Sequence, residues 1–311
     1  KLINHIITMK KNFLIVMCLM MAFMASAQDL VVCSYNIRNA NRGDAKNGNG
    51  WEKRSVYMCQ QIQFEDPGVF GCQEVKKEQI DDMLRLMPEY AYVGVGRDDG
   101  KEGGEYSPVF YKKDRYKLLD SGTFWLAEDP TKAELGWDAA CKRVCSWGHF
   151  KDLKTKHTFY FFNTHMDHIG VTARREGAKL IVSKMRELMK KNDPVILTGD
   201  FNVDQRSEPF QVFINSGFLN DCYEVSKYRF ATNGTFNDFN PLNCSNSRID
   251  HIFVSKSFKV DRYAIRTDGY WDNVEMYEAK PSPNAPMDVK LKEGVRRNPS
   301  DHYPVVVKMR F

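Results

Sequence analysis

The sequence has no marked excess of either charge and no shortage of apolar residues. Its 311 residues include 45 Lys and Arg against 40 Asp and Glu, and 42% are hydrophobic. Disordered chains are typically poor in apolar residues and rich in one charge, so this composition excludes wholesale disorder. The 12 Pro and 20 Gly show no triplet period, which excludes a collagen-like structure. The length fits one large domain or two small ones.

An apolar segment of membrane-spanning length is also lacking. The longest apolar run, Phe13–Ala25, has 13 residues, whereas a transmembrane helix needs about 20. Lys10-Lys11 precedes this run, and Ala25-Ser26-Ala27 ends it with small residues. A basic start, a short apolar run and a small-x-small end are typical of a secretory signal peptide. We therefore predict a signal peptide over residues 1–27. The remaining chain, 28–311, is expected to be periplasmic or extracellular, with no stable membrane anchor.

The predicted signal peptide accounts for most of the net positive charge. It contains three of the basic residues and no acidic residue, so 42 basic and 40 acidic side chains remain. Proteins that bind long nucleic acids without sequence preference normally present a clear excess of Lys and Arg. The near-neutral balance therefore favours a small substrate, and a nucleic-acid partner is possible without being favoured. Five basic residues cluster in a Pro-rich segment, 279–300, which we interpret as a loop. They are Lys280, Lys290, Lys292, Arg296 and Arg297.

Metal-binding patterns of cysteine are absent. Beyond residue 27 the seven Cys form no C-x-x-C pair and no Cys/His cluster, so a zinc site is not predicted. Cys33, Cys59 and Cys72 lie in apolar patterns typical of small buried residues. Cys222 and Cys244 lie in polar, turn-rich sequence, and they are the predicted disulfide if the protein is exported.

Strand and helix patterns alternate along the chain without a repeat or a low-complexity linker. Helical periodicity occurs in Arg54–Phe64 and Val171–Lys191. Runs rich in β-branched and aromatic residues predict strands at Leu30–Ile37, Val69–Gln73, Ser107–Tyr111, Thr158–Thr164, Val195–Thr198, Ile249–Val254 and Tyr303–Met309. Mixed strands and helices within one long domain indicate a layered α/β architecture.

Polar clusters flank six of these predicted strands. They are Asn36, Gln73-Glu74, Asn163-Thr164-His165, Asp200-Phe201-Asn202, Asp250 and Asp301-His302. Taken singly, each cluster is explained by turn formation or by capping of a strand. Together they place carboxylates, amides and imidazoles at strand ends, where a sheet fixes side chains and loops admit substrate. The oxygen ligands among them suit Mg²⁺, and two His residues beside acidic ones can serve as acid and base.

The order of these clusters resembles the endonuclease/exonuclease/phosphatase superfamily of deoxyribonuclease-like, metal-dependent phosphoesterases. The resemblance covers nearly all of residues 30–311 and rests on six motifs in family order. Gly234-Thr235-Phe236 and Thr123-Phe124-Trp125-Leu126 resemble a secreted bacterial subgroup. The resemblance implies a four-layer α/β/β/α sandwich of two mostly antiparallel sheets flanked by helices. It places the active site at one edge of the paired sheets.

The resemblance also implies a divalent metal ion. Glu74 would be its main ligand, with Asn36 and Asp301 close by. The expected ion is Mg²⁺, with Mn²⁺ or Ca²⁺ as alternatives. Such an ion neutralises charge on a phosphate and positions a water for in-line attack.

Five residues are matched to catalytic roles by the resemblance. His302, oriented by Asp250, would activate water or hold the phosphate. Asp200 and Asn202 would orient the nucleophile and stabilise the transition state. His165 would hydrogen-bond the phosphate or protonate the leaving oxygen.

Two further residues are expected to act on the substrate side of the site. Glu105 is expected to raise the pKa of His165. Arg143, at the start of a strand-like stretch, is predicted to reach a substrate phosphate, although a solvated strand-edge Arg explains it equally well.

These expectations describe a monomeric, exported phosphoesterase that hydrolyses a phosphate ester of a small or a lipid-, sugar- or inositol-type substrate. The alternative is a nuclease acting on DNA, RNA or nucleotides. A third hypothesis is a non-catalytic binding module with the same fold, which the presence of all six motifs disfavours. The sequence does not decide between monoester and diester substrates.

Overall fold

A computed structural model describes residues 29–280 and 283–311. The predicted signal peptide lies outside the described residues. The strands are β1 Leu30–Asn36, β2 Val69–Gln73, β3 Tyr90–Val93, β4 Val109–Lys112, β5 Tyr116–Trp125, β6 Val144–Asp152, β7 Thr158–His165, β8 Val195–Asp200, β9 Asn220–Asp221, β10 Tyr228–Phe230, β11 Asp250–Val254, β12 Lys259–Ile265, β13 Tyr270–Glu278, β14 Lys292–Arg297 and β15 Val305–Arg310. The helices are α1 Arg42–Lys46, α2 Trp51–Glu65, α3 Lys77–Leu86, α4 Val171–Leu188, α5 Glu208–Ile214 and α6 Cys222–Val225.

Two large sheets form the centre of the fold. One has seven strands in the order β10-β12-β15-β1-β2-β4-β3, and the other has six in the order β5-β6-β7-β8-β11-β9. The pairs β1–β2, β7–β8 and β10–β12 are parallel, and the other pairs are antiparallel. The sheets are therefore mostly antiparallel, as predicted.

Three apolar layers hold these sheets and their helices together. The layer between the sheets contains Val32 of β1 and Ile196 of β8. A second layer packs α4 and α5 on the six-stranded sheet, and a third packs α2 and α3 on the seven-stranded sheet. The central strands β2, β8 and β11 are buried on both faces, and such strands form nearly continuous apolar runs. The predicted four-layer α/β/β/α sandwich is confirmed.

The strand ends that carry the polar clusters meet at one edge of the sandwich. The parallel pairs β1–β2 and β7–β8 point their carboxyl ends toward this edge. The antiparallel strand β11 begins there, because Asp250 lies opposite Asp200 of β8. The sheet topology thus brings together clusters that are far apart in the sequence.

The predicted loop over 279–300 is partly wrong. Lys292–Arg297 forms β14, which pairs with β13 in a separate two-stranded sheet. The four Pro residues of this segment lie outside β14, so the strand keeps the backbone N–H groups that its pairing needs. Its only large apolar residue is Val295, which is why no strand pattern was visible.

The predicted disulfide between Cys222 and Cys244 is also wrong. Both thiols are free; Cys222 is buried, and Cys244 is exposed. Cys222 begins α6 and packs into the apolar layer between the sheets. Its turn-rich sequence surroundings therefore concealed a core position. Within the described ranges, no helix is long and apolar enough to cross a membrane.

Candidate active site

A buried imidazole–carboxylate pair lies at the centre of the polar edge. His302 Nδ1 lies 2.8 Å from Asp250 Oδ2, and both side chains are almost completely buried. Since a carboxylate only accepts, Nδ1 carries the proton and Nε2 faces the site. Burial opposes protonation, but the carboxylates of Asp250 and Asp200 outweigh it and raise the pKa of His302 well above its usual value. This geometry agrees with the prediction that Asp250 orients His302.

The loop before β11 fixes this pair in position. The Thr235 hydroxyl accepts the backbone N–H groups of Ile249 and Asp250, at 3.0 and 3.1 Å. The Tyr303 N–H donates to the Thr235 carbonyl at 2.7 Å. One buried threonine therefore ties the segment of Asp250 to the segment of His302.

Asp200 connects the two sheets and both histidines. Its Oδ2 accepts a 2.9 Å hydrogen bond from Asn36 Nδ2 and lies 3.7 Å from His302 Nε2 and 3.5 Å from His165 Nε2. Asn202 Nδ2 is 3.1 Å from His165 Nε2. Burial and the nearby Asp250 carboxylate raise the pKa of Asp200. All five predicted catalytic residues therefore lie in one contiguous cluster.

The backbone after β8 turns sharply to allow this arrangement. Asn202 has a positive φ of 51°, a conformation that Asn tolerates better than most residues. Its N–H donates to Asp200 Oδ1 at 2.9 Å, and its side chain donates to the Met166 carbonyl at 2.9 Å. The Asp-x-Asn spacing thus closes a turn that aims both side chains at the site.

The predicted metal ligands form a carboxylate pair beside this cluster. Asn36 Nδ2 donates to Glu74 Oε1 at 3.2 Å. Arg38 Nη1 lies 3.5 Å from Asp301 Oδ2 and 3.9 Å from Glu74 Oε2, so one guanidinium contacts both carboxylates. Asn39 adds two hydrogen bonds to Glu74 Oε2, at 3.2 and 2.8 Å. The Arg38 guanidinium is therefore a cation that Glu74 and Asp301 already share.

The two carboxylates differ in how well their charge is stabilised. Burial raises the pKa of Glu74, but His302, Arg38 and hydrogen bonds from neighbouring residues outweigh it and lower the pKa. Burial, opposed by His302, raises the pKa of Asp301, and the Glu74 charge adds to it. A second cation between them would favour the charged form of both.

The donor set fits a hard divalent cation. Glu74, Asp301 and the Asn36 amide offer oxygen atoms, which Mg²⁺, Mn²⁺ and Ca²⁺ prefer. Asp200, Asp250 and His302 form a second group whose ligand atoms lie within 4.8 Å of one another. Asp250 Oδ1 is buried and has no hydrogen-bond partner among the described residues. The site at this sheet edge therefore combines negative charge with a carboxylate oxygen, Asp250 Oδ1, that is still able to accept a bond.

The surroundings of His165 differ from the prediction. Burial lowers the pKa of His165 well below its usual value, and the charges of Arg143 and Arg97 add to this effect. Glu105 forms a 2.6 Å ion pair with Arg97 and accepts a hydrogen bond from Asn39. Because the Glu105 charge is committed to Arg97, the expected increase in the pKa of His165 is wrong.

Arg143 lies in this part of the site, as predicted. It is only 5% exposed, so the alternative of a solvated strand-edge residue is wrong. Its Nε lies 3.3 Å from Asp167 Oδ2 and its Nη2 lies 3.1 Å from His168 Nδ1, whereas Nη1 has no partner among the described residues. Arg143, His165 and Glu105 line a narrow crevice that leaves no room for a water molecule. An unused cationic donor therefore lies beside a histidine that burial keeps neutral.

Three residues without a role predicted from the sequence also shape the site. Arg38 contacts both carboxylates and Asn39 contacts Glu74. Their closeness to Asn36 in the sequence was a usable signal. Arg54 is completely buried and donates to the carbonyls of Ile37 and Pro299. Arg54 therefore holds together the segments that carry Asn36 and Asp301. The sequence did not indicate this role, because Arg54 lies in a helix with an amphipathic pattern.

Asn163 lies below the site rather than in it. Its Oδ1 accepts from Gln73 at 2.7 Å and from Thr198 at 2.9 Å, and its Nδ2 donates to the Cys72 carbonyl. A Cβ on Gly71 would approach Asn163 Oδ1 to 2.3 Å. This close, fully polar contact links the two sheets directly beneath the clustered side chains.

Comparisons with known proteins agree with this fold and site. The family model described as the endonuclease/exonuclease/phosphatase family matches residues 33–302. A family protein from Bacteroides thetaiotaomicron has a solved structure that is 48% identical, with a TM-score of 0.83, covering 91% of this chain and 98% of that one. The mannosyl-6-phosphatase of the same organism is 48% identical, with a TM-score of 0.81, covering 91% of this chain and 100% of that one.

A third solved structure, a family protein from Bacteroides vulgatus, is 36% identical. Its TM-score is 0.78, and the match covers 91% of this chain and 99% of that chain. The family model spans the six motifs that the fold brings to one edge. The chain therefore belongs to the endonuclease/exonuclease/phosphatase family of phosphoesterases.

Proposed function

We propose that this protein is an exported phosphomonoesterase that uses a divalent metal ion to remove phosphate from a phosphorylated sugar. The observation that carries the substrate assignment is the 48% identity, over 91% of the chain, to a mannosyl-6-phosphatase. The chemistry is supported by the contiguous cluster at the sheet edge. Export is supported by the sequence of residues 1–27, and the protein is proposed to act as a monomer.

The cluster supplies the protein groups that phosphate ester hydrolysis requires. The reaction needs an in-line water, charge neutralisation on the phosphate oxygens and assistance to the leaving oxygen. His302, held through Nδ1 by Asp250 and with a raised pKa, would orient the water or hold the phosphate through Nε2. Asp250 Oδ1, which has no partner among the described residues, can accept a hydrogen bond close to that position. Asp200, whose pKa is raised, can accept a proton there. His165 and Asn202 lie next to Asp200 and would donate to the phosphate or the leaving oxygen.

The carboxylate pair is the proposed metal site. Glu74 and Asp301 would hold the ion, and the Asn36 amide lies next to Glu74. The all-oxygen donor set favours Mg²⁺ among the candidates, since zinc is normally bound by Cys or His ligands. When bound, the ion supplies charge neutralisation that Arg38 alone provides only in part.

The surroundings of Arg143 favour a monoester over a diester. A monoester phosphate carries up to two negative charges, whereas a diester carries one. Arg143 Nη1 is a buried donor without a partner among the described residues, and guanidinium–phosphate hydrogen bonds are strong in such places. This donor would stabilise the extra charge of a terminal phosphate, which reaches it only when the narrow crevice beside Arg143 widens.

A panel of phosphate esters in Mg²⁺ tests this proposal. Mannose 6-phosphate and p-nitrophenyl phosphate are compared with bis-p-nitrophenyl phosphate and plasmid DNA on the mature protein. We expect kcat/KM to be at least about 10-fold higher for the monoesters, which corresponds to roughly 1.4 kcal/mol of transition-state stabilisation. Faster cleavage of the diester or of DNA would contradict the monoester assignment. A mature amino terminus at Gln28 in the exported fraction would support the predicted cleavage.

A further inference from the structure

A groove runs along the outer face of the seven-stranded sheet, outside the candidate active site. Helices α2 and α3 cover the half of this face formed by β1, β2, β4 and β3. Beside α2, the strands β15, β12 and β10 continue the sheet and form the floor of a groove of about 740 Å³. Arg296 of β14 and the end of α2 at Glu65 contribute its walls.

The strand register arranges the floor of this groove in rows. Tyr228 lies opposite Arg262, Arg262 opposite Lys308, and Lys308 opposite Val31. Directly opposed residues on neighbouring strands point to the same face of a sheet. The next row consists of Phe230, Ala264 and Val306. The groove therefore presents two cations in one row, with an aromatic side chain at the end of each row.

The groove concentrates positive charge that the chain as a whole lacks. Its cationic lining consists of Arg229, Arg262, Arg266, Arg296 and Lys308, against the acidic residues Glu65 and Asp268. Arg266 pairs with both of those acids, and Lys308 pairs with Asp29 at 2.7 Å. Arg262 and Arg296 form no ion pair among the described residues. Since residues 28–311 are nearly neutral overall, these unpaired cations mark a local anion-attracting surface.

Two aromatic side chains at the edge of the groove are unusually exposed. Tyr228 is 57% exposed and Phe230 is 63% exposed, and the two lie two residues apart on one face of β10. Exposed rings beside cations provide a flat apolar surface and phosphate contacts at once. A flexible chain of ring-shaped units that carries phosphates would use both.

The groove leads toward the candidate active site. The Arg266 N–H donates to the Pro304 carbonyl at 3.0 Å, and Pro304 lies two residues after His302. Lys308, at the other end of the groove, lies six residues after His302, which is about 20 Å along an extended strand. One bound chain can therefore occupy the groove and still reach the site.

We propose that this groove binds an extended glycan that carries more than one phosphate and holds it beside the active site. The sugar identity of the chain rests on the proposed function, whereas the anion-binding groove rests on its own residues. The row that contains Arg262 and Lys308, together with Arg296, favours a phosphorylated glycan over a neutral one. The near-neutral charge of the remaining surface favours it over a long nucleic acid.

The test compares polymeric and monomeric substrates in a charge-reversed variant. The double variant Arg262→Glu with Arg296→Glu changes two exposed side chains of the groove. The matched control, Lys190→Glu with Lys191→Glu, makes the same charge change beyond α4, at the opposite end of β8 from Asp200. Binding of phosphorylated mannan, unphosphorylated mannan and single-stranded DNA is measured by affinity electrophoresis. KM is measured for mannose 6-phosphate and for phosphorylated mannan.

We expect the groove variant to bind phosphorylated mannan at least about 10-fold more weakly. The slope of log affinity against log salt should fall by about 1 for each phosphate that the variant no longer binds. KM for mannose 6-phosphate should stay within about 2-fold, because the monomer does not reach the groove. The variant Arg262→Lys with Arg296→Lys should retain most of the affinity.

Equal weakening in the control variant, or unchanged affinity in the groove variant, would overturn the proposal. Tighter binding of DNA than of phosphorylated mannan through the same residues would overturn the glycan assignment. If the wild-type protein binds phosphorylated mannan through the groove but releases phosphate from no sugar, the groove stands and the proposed phosphomonoesterase function fails. The glycan-binding groove and the phosphomonoesterase function can therefore be refuted independently of each other.

Discussion

Replacing Asp250 with Asn is expected to remove most of the turnover while leaving the fold intact. Asp250 Oδ2 accepts a 2.8 Å hydrogen bond from His302 Nδ1, and its charge contributes to the high pKa of His302. A charge-assisted hydrogen bond of this kind contributes roughly 1.5–3 kcal/mol. If that stabilisation is realised mainly in the transition state, its loss lowers kcat by about 10- to 100-fold.

The assay is steady-state phosphate release from mannose 6-phosphate in Mg²⁺, together with unfolding by urea. Asp152→Asn is the matched control, because Asp152 is an equally buried carboxylate that pairs with Arg115 at 3.3 Å. Asp152 lies at the end of β6 that is remote from the site, opposite Tyr116 of β5. We expect the control to lose stability but to keep kcat within about 3-fold, since it touches no reacting group.

Either of two results would refute the role assigned to His302 and Asp250. If Asp250→Asn keeps kcat within about 3-fold of the wild type, His302 does not depend on the Asp250 charge. A parallel fall in kcat for Asp250→Asn and Asp152→Asn would show that both act through stability alone.

Three further perturbations have expected outcomes. Gly71→Ala would push a methyl group against Asn163 and Thr198, so its free energy of unfolding by urea should fall by about 2–4 kcal/mol; a loss under about 0.5 kcal/mol would contradict the tight sheet contact. Arg143→Met should lower kcat/KM for monoesters at least about 10-fold more than for diesters; an equal loss for both would contradict the monoester argument. The lowered pKa of His165 means that the unfolded chain binds more protons below about pH 6.5. Stability should therefore fall with decreasing pH by at most about 1.4 kcal/mol per unit, and His165→Gln should reduce this slope measured by urea unfolding; an unchanged slope would contradict it.

The layered fold and the members of the site could be predicted because each cluster adjoins a strongly apolar strand. Val69–Gln73 is a strand with the predicted bounds, and the strand predicted at Val195–Thr198 extends to Asp200. Strands buried on both faces leave a continuous apolar signal, and the polar residues at their ends stand out against it.

The contacts between elements could not be predicted, because they depend on packing between distant segments. Asn36 and His302 approach to 3.5 Å across 266 residues of sequence. The pairing of Glu105 with Arg97 follows from a loop whose path has no periodic signal. β14 was missed because its single large apolar residue leaves no alternation to detect, and its stability comes from pairing with β13.

Phosphate release from mannose 6-phosphate, in Mg²⁺ and in EDTA, tests the central claim most directly when wild type and Glu74→Gln are compared. The proposed metal-dependent phosphomonoesterase should release phosphate in Mg²⁺ and lose that activity in EDTA. Glu74→Gln should raise the Mg²⁺ concentration for half-maximal rate by about 10-fold or more, because a charged ligand is lost. Equal rates in Mg²⁺ and EDTA, or a Glu74→Gln variant with unchanged Mg²⁺ dependence, would contradict the account.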